Sequence, residues 1–226
     1  MGRTPVSMRR AANRLEELGW STRRIGYPSL TRPIERLAEH VAERIAGESG
    51  TIHFVTHSLG GLVLRRLLYT HRPPNLGRVA MLAPPNRGSR LARSFTRLGR
   101  AVPALRQMAL PEADLERLLG PVDFELLVVA GTRAAGPLRW LARSASDGIV
   151  TVDETFAREG VDSLVVPRGH TFIMNSPEVL DRVDQFLRGG LAARPSENSH
   201  VAKTSPPLDG TISRISLNDA TAPSTV

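Results

Sequence analysis

Thr51-Ile52-His53-Phe54-Val55 runs straight into Thr56-His57-Ser58-Leu59-Gly60-Gly61, which opens onto Leu62-Val63-Leu64-Arg65-Arg66-Leu67-Leu68-Tyr69. The first part is short, apolar and rich in β-formers, as a buried strand demands, and the last carries apolar residues at helical spacing. A serine at the tip of a strand–turn–helix corner has its hydroxyl exposed, and the backbone N–H that follows it is free to face an oxyanion. Glycine two positions on lets the chain fold back without a Cβ clash. The usual pattern is G-x-S-x-G; here the small residue Thr56 stands in the first glycine's place, and Gly61 adds room for the helix to pack. Ser58 is therefore the candidate nucleophile.

Outward from this corner, strands and helices alternate. Residues 5–18 form a predicted helix with Met8, Ala11, Leu15 and Leu18 on one face, ended by Gly19. Residues 23–27 read as a short strand. Thr31 is placed to cap a helix over 32–46, striped by Ile34, Leu37, Ala38, Val41 and Ile45. Residues 77–82, 124–130 and 162–166 read as buried parallel strands. Ser176 is placed to cap a last helix, with Pro177 in its first turn and Gly189-Gly190 after its end. The expectation is an α/β domain over residues 1–190, a mostly parallel sheet with helices on both faces and a small helical insertion near 84–121. From 191 to 226 the composition turns to Ser, Thr, Pro, Asn and Ala, which cannot bury enough surface to offset ordering entropy; a disordered polar tail is expected.

Composition narrows the chemistry. With 226 residues and no cysteine, the chain has room for one substantial core and excludes disulfides, thiolate metal sites and cysteine catalysis. No apolar run approaches the ~20 residues of a membrane span, and the N-terminus lacks a secretory h-region, so a soluble cytoplasmic protein is expected. The net charge of +8 is carried almost wholly by arginine, Lys203 being the only lysine, which reads first as compositional bias. Arg87, Arg90, Arg93, Arg97, Arg100 and Arg106 nonetheless make a one-sided basic surface that could attract anionic substrates or lipid head groups weakly. Aromatic interleaving and nucleic-acid motifs are lacking, so no specific nucleic-acid partner is expected, and a basic nucleic-acid-binding module ranks as the least favoured reading.

A serine hydroxyl needs a base, and histidine suits that task near neutral pH. Of the six histidines, His40 lies mid-helix, His53 on a strand, His71 at a helix end and His200 in the tail. His57 adjoins Ser58 but points elsewhere on a tight turn, so it is expected to pack beside the corner. His170 sits on a loop leaving a strand at its C-terminal end, where open parallel sheets gather their chemistry. The base needs an acid to hold its tautomer, and the chain order Ser, acid, His selects Asp147, with Asp153 and Glu154 as competitors and Asp162 at the start of a strand.

The segments Phe54–Gly61, Leu82–Ser89, Asp147–Val150 and Gly169–Asn175 together resemble the α/β-hydrolase superfamily, in particular small bacterial lipase- or esterase-like serine hydrolases. The resemblance implies nucleophile, acid and base roles for Ser58, Asp147 and His170, with the Leu59 N–H as one oxyanion donor. It implies cleavage of a carboxylic ester, small-molecule or lipid, through an acyl-enzyme, with no metal or organic cofactor. In such relatives a central strand ending in a His-Gly motif precedes the segment matching Arg3–Met8, lies between the 23–27 and elbow strands, and brings the second oxyanion donor. Here Met1-Gly2 stands where that motif ends. The sequence therefore predicts an N-terminally truncated sheet lacking that strand, with Met1 as a makeshift donor and a catalytically impaired remnant as the competing reading.

Overall fold

The computed structural model describes residues 5–94, 101–133, 145–156, 161–189 and 213–220. A 3-10 turn, Pro5–Met8, leads into α1 (Arg9–Glu17), which buries Ala11, Ala12 and Leu15 and ends at Gly19 with φ 89°. Then come β1 (Ser21–Pro28), α2 (Ile34–Ile45), β2 (Ile52–His57), α3 (Leu59–Thr70) and β3 (Leu76–Leu82). Between β3 and β4 (Leu126–Gly131) lie three short helices, α4 (Arg90–Ser94), α5 (Pro103–Met108) and α6 (Glu112–Leu119). The chain continues through α7 (Val152–Thr155), β5 (Asp162–Val166), α8 (Pro177–Leu187) and β6 (Ser213–Ala220).

The six strands form one sheet in the order β1-β6-β2-β3-β4-β5, every pairing parallel. Period-two alternation along the strands divides the core. Phe54, Val79, Met81, Leu126 and Val128 face α2, α3 and the inserted helices. Val55, Ala80, Leu82, Leu127 and Val129 face α1 and α8. A strand covered on both faces needs apolar residues on both sides, hence the continuous apolar runs of β2, β3 and β4.

Several expectations are corrected here. The slot between β1 and β2, expected to be vacant, holds β6, whose Ile215 is in register with Arg23 on one side and Phe54 on the other. The tail expected to be disordered thus contributes a strand at 213–220. The reason is backbone hydrogen bonding: β1 and β2 each present a row of N–H and C=O groups toward the slot, and an extended segment satisfies both rows at once. Thr31 does not cap α2 either. Its hydroxyl donates to the Pro28 carbonyl, the helix starts at Ile34, and the Ile34 N–H donates to Gln107 Oε1 of α5 at 2.7 Å. Ser176 does precede α8, but its side chain makes no capping bond; Arg168 Nε donates to its hydroxyl instead.

Candidate active site

β2 delivers the chain into α3 through Ser58, which has φ 55° and ψ −125°, a conformation costly for any residue with a Cβ. Backbone bonds hold it there: Ser58 N–H donates to the Leu82 carbonyl and Gly61 N–H to the Ser58 carbonyl. Close approach of α3 to the exit of β3 makes Gly61 obligatory, since a Cβ there would lie 2.8 Å from Pro84 Cβ and 3.3 Å from Met81 Sδ. Leu59 is the first residue of α3, so its N–H is among those without an intrahelical acceptor and lies at the positive end of the helix dipole. Thr56 is fully buried, and its hydroxyl has no hydrogen-bond partner.

His170 and Asp147 come to this corner from two further loops. His170 Nε2 lies 3.0 Å from Ser58 Oγ, and His170 Nδ1 lies 2.7 Å from Asp147 Oδ2. The other Asp147 oxygen accepts from the Ile149 and Val150 N–H groups at 2.9 and 2.8 Å, and the His170 N–H donates to the Asp147 carbonyl at 3.0 Å. The Asp147 side chain is 1% exposed, so its charge is satisfied by fixed donors rather than by water.

The other titratable candidates lie elsewhere. His57 Nε2–H donates to the His170 carbonyl at 2.9 Å, with the two rings 4.7 Å apart, so it braces the histidine loop beside the corner. His40 Nε2–H donates to the Gly26 carbonyl, and His53 Nδ1 accepts from the Arg78 N–H where the β2–β3 register shifts. Asp153 is exposed; Glu154 caps α7 by accepting from the Thr151 N–H; Asp162 starts β5 at the sheet edge. Met1 and His200 lie outside the described residues, as do Arg97 and Arg100.

Gly131, at the end of β4, escaped the sequence reading. A Cβ there would meet the Arg168 carbonyl at 2.4 Å and Asp147 Cβ at 2.8 Å, so its lack of a side chain lets the acid and histidine loops converge. A cleft of about 580 Å³ lined by Glu39, Ala42, Ile45, His71 and Pro73 lies at the opposite, N-terminal edge of the strands and shares no residue with this site. Among the described residues, no group of three or more His, Asp and Glu side chains is placed to hold a metal ion, and no helix is long and apolar enough to cross a membrane.

A parallel sheet with helices on both faces, turning from strand to helix through a strained serine, is the α/β-hydrolase fold. Solved structures of that fold superpose on the chain. The mature lipase BlEst2 of Bacillus licheniformis matches at 16% identity and TM-score 0.56, covering 70% of this chain and 75% of its own. Phospholipase PlaB of Legionella pneumophila matches at 16% identity and TM-score 0.60, over 83% of this chain but 60% of its own, less than two-thirds of its length. The product of the gene lin2722 from Listeria innocua is covered over 94% of both chains, at 16% identity and TM-score 0.53. At these identities the likeness concerns the fold. No family model matches the sequence, and no curated protein does.

Proposed function

We propose that the chain is a serine hydrolase acting on carboxylic esters, with Ser58 as nucleophile, His170 as base and Asp147 as the acid that orients it. The observation that carries this reading is the unbroken run of contacts from Ser58 Oγ through both nitrogens of His170 to Asp147 Oδ2. Ser58 Oγ attacks the ester carbonyl carbon while its proton passes to His170 Nε2. The oxyanion faces the N–H of Leu59, where the α3 dipole favours negative charge. Collapse breaks the bond to the leaving alcohol, which takes the proton from Nε2, and the acyl group stays on Ser58. Water then gives a proton to Nε2 and attacks the acyl carbon; the bond from that carbon to Ser58 Oγ breaks, Nε2 returns the proton to Oγ, and the acid leaves.

Asp147 holds the Nδ1–H tautomer, leaving Nε2 free for the serine proton, and stabilises the imidazolium formed in each half-reaction. The names of two superposed structures, a lipase and a phospholipase, support ester chemistry on this fold. Turnover of short-chain aryl esters by the full chain and by Ser58→Ala tests the reading. The expected outcome is loss of at least about 10³-fold in kcat for the variant. Equal rates would remove Ser58 from the mechanism.

A further inference from the structure

Four large apolar side chains stand exposed among the described residues: Tyr69, Ile149, Val165 and Phe172. Two flank the site. Phe172, 67% exposed, follows His170 by two positions, and Ile149, 40% exposed, follows Asp147 by two. Both belong to loops fixed by the site's own bonds, since Ile149 N–H donates to Asp147 Oδ1 and Phe172 N–H to the Gly169 carbonyl. These bonds fix the backbone from which the two exposed side chains project.

Three exposed cations lie on segments tied to these two loops or next to them in sequence. Arg133 N–H donates to the Arg168 carbonyl beside the histidine loop, and Arg133 bridges to Ser146 beside the acid. Arg90 starts α4, tied by its N–H to Glu154 Oε1 just beyond the acid loop, and Arg93 lies one turn on. Arg90, Arg93 and Arg133 are exposed and form no ion pair among the described residues. Arg87 is neutralised by Glu112 and Arg168 by Glu178, leaving Asp153 as the exposed acid of this rim. Two exposed apolar tips with exposed arginines on adjoining segments form a surface complementary to the head groups and upper acyl region of an anionic bilayer.

We propose that the rim formed by Ile149, Phe172, Arg90, Arg93 and Arg133 is a docking surface for anionic phospholipid membranes, which sets the mouth of the Ser58 site against the lipid. The proposal deepens the ester-hydrolase reading by naming where its substrate is presented. Adsorption itself requires no turnover. A duplex nucleic acid would use the same charges but offer no apolar layer to the two tips.

The test is co-sedimentation of the full-length Ser58→Ala protein with phosphatidylcholine vesicles and with mixed phosphatidylcholine–phosphatidylglycerol vesicles. The expected result is stronger binding to the anionic vesicles, weakened by added salt. Arg90→Gln, Arg93→Gln and Arg133→Gln should each weaken that binding by roughly fivefold, and Phe172→Ala by about tenfold. Thermal unfolding of each variant confirms that it is folded. Equal binding to both vesicle types, or anionic binding untouched by Phe172→Ala, overturns the proposal; binding to single-stranded DNA as tight as to anionic vesicles does so too. Ester turnover by the unsubstituted chain is scored separately. Adsorption without turnover overturns only the hydrolase reading, and turnover without adsorption only this one.

Discussion

At the scale of single residues, two positions around the site stand out, one for an absent side chain and one for an unsatisfied hydroxyl. Gly131 is the clearest case of absence. Alanine there must push either the Arg168 carbonyl or Asp147 by more than half an ångström, and both belong to the loops that meet at His170. Gly131→Ala is expected to lower kcat on soluble esters by about 10²-fold, the size of effect that a 1 Å misplacement produces. Steady-state kinetics should show the loss in kcat rather than KM, since the substrate's own contacts are unaltered. Thr56 is the unsatisfied case. Its buried hydroxyl has no partner, and such a group costs about 1–3 kcal/mol. Thr56→Val keeps the shape and removes the polar atom, so urea unfolding should show a gain of about 1 kcal/mol with turnover unchanged. A loss of stability would mean that the threonine hydroxyl is bonded in solution.

At the scale of elements, strands β1 to β5 and the Ser58 corner are legible because their signals are local. Runs of Val, Leu and Ile at β2, β3 and β4 declare burial on both faces, and Ser58 with its flanking residues needs no distant partner to be recognised. The start of α2 was not legible, because its first donor is satisfied by Gln107, which lies in α5 and also donates to Glu35. Thr31 resembles a cap only in its nearest neighbours, whereas the donor at Ile34 is satisfied from α5. Gly131 was missed for the same reason: the demand on it comes from two loops that meet only in the folded chain.

Glu154 shows how such non-local bonds join elements. Its buried carboxylate accepts from the N–H groups of Thr151 and Arg90, and its carbonyl accepts from the Arg87 N–H, binding the acid loop to the start of the helical insertion. Glu154→Ala leaves two donors without their acceptor and is expected to cost about 2–4 kcal/mol. Hydrogen exchange should quicken at the Arg90 and Thr151 amides before it quickens in β3 or β4. Unchanged protection at Arg90 would show that the two elements are held together by other contacts.

For the molecule as a whole, the decisive placement is that of β6. It is the last described strand in sequence, yet it stands inside the sheet beside the strand that carries the elbow. Little in the sequence announces it. Ile215 and Leu217 alternate with polar residues, but eight residues within a Ser-, Pro- and Asn-rich stretch give a weak local signal. What selects the segment is the pair of unfilled ladders on β1 and β2, a demand created only once those strands are in place. Among the described residues β1 has no other neighbour in the sheet, so β6 is also what joins β1 to the rest. Ile215 faces Arg23 and Phe54 across the two ladders, so proline at this position removes a donor from the middle of a central strand. Ile215→Pro is expected to destabilise the chain by about 3 kcal/mol or more, whereas Ile215→Val, which keeps the N–H and the β-branch, should cost about 1 kcal/mol or less. Equilibrium denaturation separates the two, and hydrogen exchange locates the damage: in the proline variant β1 and the free edge of β2 should lose protection together, while β4 and β5 keep theirs. Wild-type stability and protection in Ile215→Pro would exclude residues 213–220 from the sheet and leave β1 and β2 to be joined by other means.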